Sequence, residues 1–181
     1  MMARKALLWV LFALTLASCA VSPVTDESSQ FYRLPVGTAV VVNQDLTVPA
    51  GNARVFLQRG KVIAKNRLAV YQPHCNFEQR TVSDGTAVIK ADAFKVTAVS
   101  VGDDLVVQSH AMVYVSLSMN EDRDGASMIN RYVRYSLASP RQPQVMYLTC
   151  HGGFQMPFQA EYPSLIDIRS ALGGLVTIQL P

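Results

Sequence analysis

Hydrophobic and polar positions alternate with a period of two over much of this chain, in short runs rich in Val, Ile, Phe and Tyr that Gly, Pro, Asn and Asp interrupt. Successive strand residues point to opposite faces, so such runs read as half-buried strands. They cover Gly37 to Val42, Ala53 to Gln58, Arg67 to Tyr71, Asn76 to Thr81, Ala87 to Ala91, Phe94 to Val101, Asp104 to Gln108, Met112 to Met119, Arg131 to Leu137 and Val145 to Thr149. In Met112 to Met119 the residues Val113, Val115, Leu117 and Met119 share one face. Turn signals at the spacing of sandwiches and barrels predict a mainly β domain.

One segment has helical spacing. Ser164 to Leu172 follows Pro163, with Ser164 placed as N-cap, Asp167 three residues on, and Gly173 or Gly174 as the stop. Leu165, Ile168 and Leu172 fall on one stripe, which predicts a C-terminal α-helix packed on the sheet, with Leu175 to Leu180 returning as a last strand. The expected fold is therefore a small antiparallel β-sandwich or barrel with one C-terminal helix.

The N-terminus follows another pattern. Arg4 and Lys5 precede an uncharged run from Ala6 to Leu16, which ends at Ser18 and Cys19 before a polar stretch from Ser22. A span needs about 20 apolar residues to cross roughly 30 Å. This run is shorter and reads as a secretory signal.

Leu16-Ala17-Ser18-Cys19 resembles the lipobox of bacterial lipoproteins. The resemblance covers residues 1 to 19 and concerns processing only. It implies cleavage before Cys19, diacylglycerol on its thiol, and membrane attachment through that lipid. Asp directly after the cysteine would favour inner-membrane retention; Ala20 stands there instead, which implies the outer membrane, facing the periplasm. The chain then divides into a signal at 1–18, a lipidated cysteine and flexible tether at 19–32, and a single β-rich domain at 33–181. As a coil, such a tether reaches about 20 Å.

The remaining thiols, Cys75 and Cys150, form an even pair in an oxidising compartment, which predicts a disulfide. His74 and His151 adjoin them, so a bridge would bring two imidazoles together. A metal-dependent factor using His74 and His151 is the alternative this raises, but zinc sites usually take four ligands, often in closely spaced pairs, and neither cysteine has a second one nearby.

Composition narrows the function classes. With 181 residues, 50% hydrophobic and 16% charged, there is enough chain for one core. Losing Arg4 and Lys5 with the signal brings the formal charge from +3 to +1. Lys and Arg are scattered among acids, which argues against nucleic-acid binding.

Asn120, Asp122, Asp124 and Gly125 match the opening of an EF-hand loop, but Arg131 stands where a bidentate Glu should close it and both flanks read as strands. A polar hairpin loop is expected there. No Gly-x-Ser-x-Gly elbow accompanies His74, His110 and His151, and no Gly-rich nucleotide fingerprint is present. No catalytic, cofactor or metal residue is assigned.

Cys150-His151-Gly152-Gly153-Phe154 reads as a tight turn after the bridge, or a backbone cradle for an anion. The segment from Phe154 to Pro163 places Phe154, Met156, Phe158 and Tyr162 where turn residues are expected. These four either cap the barrel or present a protein-binding patch. The expectation is a non-catalytic envelope lipoprotein that works by contact with another envelope protein; the rival is a periplasmic carrier of a small, lipid-like ligand.

Overall fold

The computed structural model describes residues 24–105 and 128–181. The strands are β1 (Ala39–Val42), β2 (Leu46–Val48), β3 (Arg54–Gln58), β4 (Lys61–Ile63), β5 (His74–Gln79), β6 (Ala87–Ile89), β7 (Asp92–Leu105), β8 (Ile129–Ala138), β9 (Val145–Gln155) and β10 (Val176–Gln179), with a helix, α1 (Leu165–Leu172), before the last. Eight strands form one antiparallel sheet in the order β10-β1-β7-β8-β9-β5-β3-β4, curled into a half-barrel. β2 and β6 pair separately, and their fully buried Leu46, Val48 and Ile89 join the same core.

Period two decides which face is core. Val55 and Leu57 of β3, Phe77 of β5, Phe94 of β7, Tyr135 of β8 and Leu148 of β9 fill the concave side. α1 closes it with Leu165, Ile168, Ala171 and Leu172. Its start is a capping box: the Ser164 hydroxyl accepts from the Asp167 amide at 3.2 Å, and the Asp167 carboxylate accepts from the Ser164 amide at 3.0 Å. Ser164→Ala leaves an orphan amide donor and should cost about 1 kcal/mol in urea unfolding.

The connections show what the pattern missed. β2 and β4, three residues each, fall below the length at which alternation is readable. β3 and β4 are joined by Arg59 and Gly60, both at positive φ (53° and 71°), as a tight two-residue hairpin requires. Arg67 to Tyr71 is not a strand. A 3-10 turn spans Lys65–Arg67, and the Gln58 side chain then takes the place of a partner strand, donating to the Ala69 carbonyl and accepting from the Ala69 amide, each at 3.0 Å.

Phe94 to Val101 and the start of the run expected from Asp104 lie in one strand, β7. Gly102, between the two runs, sits opposite Tyr132, and a Cβ there would lie 2.4 Å from the tyrosine hydroxyl. The glycine makes room for a ring within a continuous ladder. Met112 to Met119 lies outside the described residues.

Asp92 fastens the start of β7. Burial pushes its carboxyl up, but bonds from Ser139 (2.6 Å), Gln142 (3.1 Å), Arg141 and the Ala93 amide (2.7 Å) outweigh that and hold it down at about 2.

Residues 27–32, read as part of the tether, pack on the domain. Glu27 accepts from the Leu165 amide at 3.1 Å and pairs with Arg169, Gln30 bonds Glu161, and Tyr32 is buried in the core. The packed body therefore begins by Glu27.

Candidate functional site

β5 and β9 run antiparallel with Cys75 opposite Cys150 and His74 opposite His151. The expected disulfide joins the two cysteines, with Cα atoms 4.0 Å apart and both side chains fully buried on the core face. One residue along, the side chains turn to the other face. His74 and His151 stack there, centroids 4.7 Å apart and planes within 10°. Register in the ladder, set by the same pairing that carries the bridge, makes the two imidazoles neighbours.

This outer face is closed around the pair. His74, Asn76, Thr149 and His151 are all buried, and the Tyr132 ring lies 5.5 Å from His151. His74 Nδ1 lies 2.9 Å from the Gln72 carbonyl, which assigns the proton to that nitrogen. Asn76 Nδ2 approaches His151 Nε2 at 3.4 Å, and Asp104 lies 3.6 Å from His151 Nδ1.

Both rings favour the neutral form. Burial pulls His151 down to about 3, helped by His74, Arg54 and Arg134. Burial also lowers His74, against the opposing pull of its bond to Gln72 and of Asp104.

For a histidine held below its unfolded value, the unfolded chain takes up more protons, so stability falls as pH drops below about 6.5 and keeps falling toward the folded value. Asp92 has a depressed carboxyl, and its contribution is lost only below about pH 4. Thermal unfolding between pH 6.5 and 4 should therefore report mainly the stacked pair. His151→Gln should flatten the decline in that window; an unchanged slope would place the proton uptake elsewhere.

The arrangement suits structure better than metal chemistry. Imidazole lone pairs lie in the ring planes, so parallel stacked rings do not converge on one ion, and one nitrogen of His74 is already committed. Among the described residues, no group of three or more His, Cys, Asp or Glu side chains is placed to hold a metal.

Gly152 and Gly153 continue β9 and are not a turn. A Cβ on Gly152 would lie 2.3 Å from the Glu161 carbonyl oxygen; one on Gly153, at φ 98°, would lie 2.7 Å from the Tyr71 carbonyl carbon. Nor do they cradle an anion, because the Gly153 amide donates to the Asn130 side chain at 2.9 Å and the Phe154 amide to the Val70 carbonyl at 3.0 Å. The two glycines let two other segments press against the strand that carries His151.

The aromatic segment divides in two. Phe154, in β9, and Met156 are half-buried, and Tyr162 packs on the core with the Arg33 and Arg131 guanidinium groups 4.8 and 5.3 Å from its ring. Phe158 is 81% exposed. Arg131, the mismatched closing position of the EF-like loop, lies on β8 at 3.8 Å from Asp103. Cys19, His110, Asn120, Asp122, Asp124 and Gly125 lie outside the described residues.

Sequence reading missed Asn76, Asp104, Asn130 and Tyr132 around the pair. It also missed Arg134, which lies 5.4 and 5.2 Å from the rings of Tyr132 and Tyr147 and donates to Thr149 at 3.2 Å. A groove of about 530 Å³ lies elsewhere, beside β3 and β4, lined by Pro49, Phe56, Val62, Ile63 and Lys65 among others. Compared with known proteins, the chain matches no family model, no curated protein and no solved structure.

Proposed function

We propose that this protein is a lipid-anchored envelope protein, held on the periplasmic side of the outer membrane through Cys19, that works by contact with another envelope component and not by catalysis. The observation that carries this reading is Leu16-Ala17-Ser18-Cys19 at the end of an uncharged apolar run. The buried Cys75–Cys150 disulfide supports export, because such bridges persist in oxidising compartments. Stacked, neutral, enclosed histidines support a structural role for this buried polar cluster. Metal dependence through His74 and His151 draws no support from two parallel rings.

Val101 and Leu105, half and 64% exposed on β7, offer apolar surface to a protein partner. The test is fractionation with photo-cross-linking. The native chain should sediment with outer membranes, whereas Cys19→Ala should not. A photoreactive residue at Leu105 should yield one discrete adduct in intact cells; none from Leu105 or Val101 would overturn the contact role.

A second reading, carriage of a small apolar ligand, is favoured by the groove beside β3 and β4. The concave face of the sheet is filled by side chains, so a carried ligand would bind in this outer groove. Stoichiometric lipid extracted from the purified protein would replace contact with carriage.

A further inference from the structure

We propose that the folded domain lies directly on the bilayer, through an apolar patch at the end where the chain leaves for Cys19. This inference rests on the lipid-anchor reading, and its occupant is a phospholipid surface. Four exposed apolar side chains belong to that end: Val24, Phe31 (61% exposed), Phe158 (81%) and Ile166 (55%).

Bonds join the segments that carry them. The Glu27 carbonyl accepts from the Leu165 amide, next to Ile166, and Glu27 also pairs with Arg169 in the last turn of α1. Gln30, next to Phe31, donates to Glu161 at 3.3 Å, three residues beyond Phe158. Val24, where the described chain begins, is three residues before Glu27. Phe158 is the most exposed large apolar side chain among the described residues.

Chain length then fixes what this end faces. Val24 is the fifth residue after Cys19, and five steps of chain span at most ~18 Å even when fully extended. As a coil it reaches only about 12 Å. The headgroup layer on each side of the hydrocarbon takes up roughly 5 to 8 Å of that. With acyl chains on Cys19 in the hydrocarbon, the Val24 end cannot stand far from the headgroups, and Phe31, Phe158 and Ile166 are carried there with it.

Glu27 is paired with Arg169, while Glu161 and Asp26 accept from the neutral side chains of Gln30 and Ser28 and keep their charge, so apolar contact has to carry the docking. Arg33 is bonded to the carbonyls of Gln30 and Tyr32. Aromatic rings at the headgroup level, with satisfied polar groups around them, are the pattern of interfacial anchoring.

Cutting before Cys19 removes Trp9, the single tryptophan, so one introduced indole reports alone. The lipidated protein would be made as Phe158→Trp and, separately, as Val82→Trp. Val82 is also exposed, but it lies past the opposite end of β9, whose 11 residues span roughly 30 Å. Both are reconstituted in phosphatidylethanolamine–phosphatidylglycerol vesicles containing lipids brominated near the headgroup end of the acyl chains.

The expected result is loss of most emission from the Phe158→Trp chain and none from the Val82→Trp chain. Equal quenching, or quenching of neither in protein that floats with the vesicles, would overturn docking and leave the anchor standing. Protein that fails to float would overturn the anchor reading, and docking with it.

Discussion

Replacing Cys75 and Cys150 together with alanine should lower the unfolding free energy by about 4 kcal/mol. The bridge closes a loop across 75 residues, and in the chain-entropy model a constraint of that length removes about 4 to 5 kcal/mol of unfolded-state entropy. For a single domain that is a large share of the total. The β5–β9 ladder on either side of the bridge holds the strands together in the folded state, so the loss should fall chiefly on the unfolded chain. Urea unfolding of the double variant beside the oxidised protein measures it. A change below about 1 kcal/mol would mean that the unfolded chain is already constrained in this region.

Gly153→Ala should cost about 3 kcal/mol. Two effects combine there. A φ of 98° lies in the left-handed region that side chains resist, which costs of order 1 to 3 kcal/mol. The new methyl group would also meet the Tyr71 backbone at 2.7 Å, and backbone can yield only by moving the 70–72 turn off β9. That shift would break the bond from the Phe154 amide to Val70 and disturb the Gln72 carbonyl that bonds His74. Gly85 is the control, because nothing lies within 4 Å of a Cβ built there and Gly85→Ala should stay within about 0.5 kcal/mol. Equal effects at both positions would remove the close approach as the reason for glycine in β9.

The helix start was legible to the residue, and its stop to one of two glycines. Ser164, Asp167 and Gly173 act through local hydrogen bonds and dihedral angles that the sequence itself encodes. The strands with clear alternation were legible too, to within a few positions. The stacked imidazoles were partly legible: pairing Cys75 with Cys150 brings the adjacent His74 and His151 near each other, but only the antiparallel register makes them opposite partners.

Glycine produced the main errors. In Gly102, and in Gly152 with Gly153, the same residue that marks a turn instead lets a ring or a neighbouring backbone approach a continuing strand, and a linear pattern cannot tell these cases apart. The segment from Phe154 to Pro163 stayed open between capping the core and facing solvent for a related reason. Whether an aromatic side chain caps a core or faces solvent depends on tertiary partners such as Arg33 and Arg131 around Tyr162, which lie far away in sequence. The curl of the sheet into a half-barrel, in place of a sandwich, arises from strand order, on which periodicity is silent.

The proposed anchoring, and with it the proposed lie of the domain on a membrane, depends on what happens at residue 19. Intact-mass and peptide mass spectrometry of the protein isolated from envelopes is the most direct measurement. The expected product begins at Cys19, carries diacylglycerol on its sulfur, and holds Cys75 and Cys150 oxidised. A product that retains Met1, or one that begins at Cys19 with a free thiol, would contradict it.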